Sequence, residues 1–101
     1  MEFDLYPLYE RGNEMSIEDY MDKLMKVFDN MALREFIETL QNIESIYLKE
    51  AEGYPEATPP RIRIRTRDGT NEPLIAIRQR LEGYRCFDND SMFTGFRVKE
   101  N

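Results

Sequence analysis

The chain has 101 residues, 41% of them apolar and 12% aromatic, enough to fill one hydrophobic core within a domain of ordinary size. It carries 20 acidic and 14 basic residues, a net charge of −6, with no histidine, no tryptophan and one cysteine. The missing imidazole removes the commonest general base and the commonest metal ligand, and a lone thiol excludes both an intrachain disulfide and a multi-cysteine zinc site.

Charge is unevenly spread. Residues 1–52 hold 13 acidic and 5 basic side chains, a net of −8, and residues 53–101 hold 7 acidic and 9 basic, a net of +2. The overall balance disfavours indiscriminate nucleic-acid binding. No apolar run approaches membrane-spanning length, and the acidic start Met1-Glu2-Phe3-Asp4 lacks the basic region of a secretory leader. With the single cysteine, these features lead us to expect a cytoplasmic protein without a membrane partner.

Phe3, Leu5, Leu8 and Tyr9 make an apolar opening interrupted by Pro7, which predicts an edge strand or extended arm. Gly12-Asn13 predicts a turn. Ser16-Ile17-Glu18-Asp19 resembles a capping box that opens a helix carrying Ile17, Tyr20, Met21, Leu24, Met25 and Phe28 on one face. Leu33, Phe36, Ile37 and Leu40 form a second stripe, rotated by roughly 140° from the first at about 100° per residue. One straight helix would bury both poorly, so a break is expected near Asp29-Asn30-Met31.

Ile43–Lys49 is ambiguous between strand and helix end, and alternation of Ile46 and Leu48 favours strand. The prolines of Gly53–Pro60 predict a loop. Arg61-Ile-Arg-Ile-Arg-Thr-Arg67 is the clearest strand, with Ile62, Ile64 and Thr66 inward and Asp68-Gly69 as its closing turn. Leu74–Leu81 reads either as a returning strand or as a helix capped by Asn71, opened by Pro73 and stopped by Gly83, and the caps favour helix. Tyr84–Phe87, a turn at Asp88–Ser91 and Phe93–Lys99 predict a C-terminal hairpin, with Gly95 at a bulge or close contact. The expected architecture is α+β: two N-terminal helices on an antiparallel sheet of four or five strands, with a short helix over 71–82.

No nucleophile motif, phosphate loop or dinucleotide fingerprint is present, so no cofactor, metal or catalytic residue is assigned. Asp88-Asn89-Asp90 lacks the glycine of a calcium loop, and Cys86 reads as a packed residue. Three sets of binding residues remain. Arg61, Arg63, Arg65 and Arg67 would project from one strand face about 6.6 Å apart. They either pair internally with acidic neighbours, face an acidic partner, or hold phosphates, with Arg78 and Arg80 extending the patch. Glu14, Glu18, Asp19, Asp22 and Asp29 make an acidic helix face that suits the macrodipole and also mimics phosphates. Phe3, Leu5, Tyr6 and Leu8 either finish the core or form an arm that docks on another subunit.

The expected function is a small non-enzymatic interaction protein with a protein partner, or a homodimer. By size and composition it is comparable to immunity-type or phage-encoded inhibitors, which block a partner surface. The alternative is a nucleotide- or nucleic-acid-binding protein that uses the arginine strand.

Overall fold

The computed structural model describes residues 1–53, 58–82 and 92–101. Within them, β1 (Glu2–Tyr9), α1 (Ile17–Phe28), α2 (Met31–Glu38), β2 (Ile43–Lys49), β3 (Arg61–Thr66), α3 (Glu72–Leu81) and β4 (Phe93–Glu100) follow in chain order. Three helices pack on a four-stranded antiparallel sheet of order β2-β3-β1-β4, an α+β fold. Element order and strand order are those of the split β-α-β-β-α-β arrangement called ferredoxin-like, with α1 and α2 together filling the first crossover. No described helix is long and apolar enough to cross a membrane.

Local chemistry accounts for the helix boundaries. Ser16 Oγ accepts from the Asp19 amide at 3.1 Å and starts α1. Asp29 ends it, and Asn30 Oδ1 accepts from the Leu33 amide at 3.2 Å to start α2. This break turns Leu24 and Val27 of α1 and Leu33 and Ile37 of α2 onto the same core. In α3, Asn71 holds the N-cap position but its side chain accepts no capping bond; Thr70 Oγ1 meets the Glu72 amide at 3.5 Å instead. Leu74, Ile77 and Leu81 face inward, whereas Ile75, which a strand would have buried, is 48% exposed.

The opening segment differs from its expectation. β1 is central, not an edge strand or arm, and Phe3 and Leu5 are fully buried. Pro7 is tolerated there for a geometric reason. The Met1 carbonyl accepts from Thr66 and the Glu2 carbonyl from Asn101, so odd positions of β1 point toward β3 and even ones toward β4. The β3 ladder covers only Glu2–Leu5, so Pro7 turns its missing N–H to a side where β3 has ended.

The C-terminal strand Phe93–Glu100 is present, but its ladder partner is β1. The other half of the expected hairpin, with Tyr84–Phe87, Cys86 and the turn at 88–91, lies outside the described residues, as does Gly83. Glu82 bridges to Phe96, in parallel sense. Gly95 has φ of +128° in the strand that is out of register with β1 at Leu8 and Tyr9, a conformation side-chain-bearing residues avoid. The core is sealed by Phe3, Ile62, Ile64 and Phe93 from the sheet and the inward residues of the three helices, each large side chain worth about 1.5–3 kcal/mol.

Candidate functional site

Strand alternation sends Phe3, Leu5, Ile62, Ile64, Phe96 and Val98 toward the helices and the intervening residues to the opposite, outer face of the sheet. One row on that face crosses all four strands as Tyr47, Arg63, Asp4 and Lys99, and the next holds Ser45, Arg65 and Glu2. The basic strand β3 therefore lies between a polar edge and the acidic positions of β1.

That neighbourhood neutralises most of the arginine series. Arg63 donates from Nε to Asp4 Oδ1 at 2.9 Å and from Nη2 to Oδ2 at 3.2 Å, while Nη1 stands 3.3 Å from Glu2 Oε2. Arg65 donates through Nε and Nη2 to Glu2 Oε1. Arg61 is 2% exposed and reaches Asp4 Oδ2 at 3.3 Å, Glu52 Oε1 at 3.2 Å and the Glu50 carbonyl at 2.8 Å. Glu50, Glu52 and Pro59 thus enclose one end of the row.

Asp4 joins these groups. Burial would raise its carboxyl, but hydrogen bonds from Arg63, Asn101 and Arg61, with the Arg63 charge, hold it below the usual carboxylate range. Arg65 likewise lowers Glu2, chiefly through its hydrogen bond. Among the described residues, no buried side-chain nitrogen or oxygen lacks a hydrogen-bond partner. All three guanidinium nitrogens of Arg61 and of Arg63 meet a carboxylate or carbonyl oxygen, whereas Arg65, bound to Glu2 through Nε and Nη2, is half exposed.

The remaining expected residues are dispersed. Arg67 leaves the strand and opens the 3-10 turn Arg67–Gly69. Arg78 and Arg80 lie on α3, on the helical side of the sheet, with the Arg80 guanidinium 5.6 Å over the Phe36 ring, so they do not extend the β3 patch. Glu14 falls in the 3-10 turn Gly12–Glu14, while Glu18, Asp19 and Asp22 are exposed on α1, and Asp29 caps the far end of that helix. Arg11 and Lys23 line one depression with Glu14 and Asp19, so the acidic surface is interrupted by cations. Phe3 and Leu5 belong to the core and are withheld from any subunit contact; Tyr6 and half-exposed Leu8 face outward.

A different constellation emerges where β3 ends beside β1. Tyr6, Leu8, Tyr20, Pro59, Arg97 and Lys99 line an open groove of about 330 Å³. Tyr20 of α1 reaches across the gap and donates its hydroxyl to the Pro60 carbonyl at 2.7 Å. Burial pushes this phenol up to about 12. The Arg97 guanidinium sits 5.5 Å over the Tyr6 ring, and burial raises Tyr6 as well. A second, more apolar trough of about 460 Å³ continues from the first through Pro7, Leu8 and Tyr20 to Met15, Ile17 and Pro60. The alternation of Arg97 and Lys99 was visible in the sequence, but their neighbourhood with Tyr6 depends on β4 lying beside β1, which it did not signal. No family model, curated protein or solved structure matches this chain.

Proposed function

We propose that this is a non-enzymatic interaction protein that engages a protein partner through the outer sheet face and the trough beside it. The supporting observation is that Leu8, 41% exposed, and Ile17, 66% exposed, line one continuous depression. Single exposed apolar residues are ordinary, but two that share a concave surface favour a contact surface. A role in occupying and blocking a partner, of the immunity or inhibitor kind, fits a chain whose β3 arginines Arg61, Arg63 and Arg65 are held in ion pairs with its own carboxylates.

The test is site-specific photocrosslinking in cells that make the protein. A benzophenone side chain at Leu8 should give a discrete protein adduct, and one at Asp22 on the helical face should give none. An adduct of twice the chain's mass would make the partner a second copy. Absence of adducts from Leu8, or stronger adducts from Asp22, would overturn the assignment of this face.

A further inference from the structure

We infer that the groove between Tyr6 and Lys99 receives an acidic, apolar peptide segment of the partner protein, with its carboxylates against Arg97 and Lys99 and an apolar side chain in the trough at Leu8 and Ile17. This rests on the proposed interaction function and names the chemistry of the partner.

The cations of the outer face divide into two groups. Arg61, Arg63 and Arg65 meet Asp4 or Glu2, and Lys49 meets Glu52 at 3.1 Å. Arg97 and Lys99 are exposed and, among the described residues, form no ion pair with a carboxylate. Two residues apart on β4, they share a face at about 6.8 Å spacing, which two carboxylates of an extended peptide match. The Tyr6 ring under Arg97 holds that guanidinium in place and lowers the ordering cost of a charge-assisted bond.

The apolar trough decides the rest of the ligand. It opens from the same groove and is lined by Pro7, Met15, Pro59 and Pro60 beside the exposed Leu8 and Ile17. Such walls suit an aliphatic or aromatic side chain at the other end of a short segment. They suit a nucleic acid less well. The Tyr6 ring already carries Arg97, the Tyr20 hydroxyl is tied to Pro60, and the chain's net charge of −6 repels a polyanion. A peptide brings few charges and delivers them locally.

The experiment uses a phage-displayed library of random peptides panned on the whole protein, with the double variant Arg97→Glu, Lys99→Glu as counter-selection. Both side chains are exposed, so the variant should keep the wild-type circular dichroism, which is checked first; because Lys99 lies opposite Asp4, Lys99→Glu should lower the melting temperature, and binding is compared below that transition. Wild type should enrich peptides that combine Asp or Glu with an apolar residue. A synthetic peptide of the consensus should lose about tenfold or more in affinity to the double variant, and also when its acids become amides. Leu8→Asp should weaken the same peptide without altering its preference for acids. Enrichment of peptides without acids, equal binding to the double variant, or no enrichment at all would overturn the inference. So would a labelled oligouridylate that binds in place of the peptide and is released by the double variant. If Leu8 photocrosslinks a partner while the library yields no acidic consensus, the interaction function stands and the acidic-peptide ligand falls. If no crosslink forms, the broader reading falls.

Discussion

Asp4 and Arg61, 57 residues apart in the chain, meet at 3.3 Å between Oδ2 and Nε with side chains only 2% and 3% exposed. The pair lies on the outer sheet face, opposite the described helices, where Arg63, Glu50, Glu52 and Pro59 contact one or other member of it. Arg63 closes on the same carboxylate from the next outward position of β3. Charges this enclosed require each other, because losing one partner strands the other out of water.

Asp4→Asn should therefore destabilise the fold by about 3–5 kcal/mol in urea or guanidinium unfolding. The lower end of that range is expected, since Arg61 keeps Glu52 and the Glu50 carbonyl. Combining Asp4→Asn with Arg63→Met should cost less than the sum of the two single changes, with a coupling of about 0.5–3 kcal/mol. Strict additivity would mean that Asp4 and Arg63 do not act as a unit.

Acid should find the same residues. Asp4 and Glu2 have carboxyls held below their ordinary values, so each binds its proton less readily folded than unfolded. Their contribution is present above the unfolded carboxyl range near pH 4 and is lost as pH falls through the lowered folded values. With no histidine in the chain, melting temperature should change little between about pH 5 and 6.5 and drop steeply below about pH 4. Asp4→Asn should flatten that acid limb. An unchanged limb in the variant would place the acid sensitivity elsewhere.

The Asp4 network also shows where sequence reading stops. Alternation in Arg61–Thr66, the capping residue Ser16 and the rotation between the two apolar stripes are local signals, and the strand, the first helix start and the break at Asp29-Asn30-Met31 follow from them. Pro7 misled because its rule concerns a missing donor, and whether that donor is missed depends on where the neighbouring strand ends. Which carboxylates would meet the arginines was illegible for a similar reason. Nothing local tells Asp4 that β3 will lie beside it in a register that sets Arg63 opposite. The Tyr6, Arg97 and Lys99 groove joins the first and last strands, so it too is a product of strand order.

The two helix caps offer a local check. Asn30→Ala and Ser16→Ala each remove a side-chain acceptor from a helix start and should cost about 1 kcal/mol. Asn71→Ala should cost less, because that side chain accepts no capping bond. Chemical denaturation of the three variants reads the order directly. An Asn71 effect as large as that of Asn30 would contradict the α3 start seen here.

Tyr20 links the helical layer to the cover of the arginine row, which makes its hydroxyl a reporter for that cover. The bond to the Pro60 carbonyl at 2.7 Å holds the chain that follows Thr58, and the Pro59 carbonyl next to it accepts from Arg61 at 3.4 Å. Tyr20→Phe removes only the hydroxyl, so a loss of about 0.5–1.5 kcal/mol is expected, with faster hydrogen exchange concentrated at 58–61. The phenol's own titration gives a second readout. Its folded value near 12 lies above the ordinary 10, so its contribution is full below pH 10 and fades as pH rises toward 12. In an ultraviolet titration of phenolate, Tyr20→Phe should delete a component that ionises near pH 12. If the deleted component ionises near pH 10 instead, Tyr20 is not enclosed, and the clamp over Arg61 must be held by Glu52 and the backbone carbonyls alone.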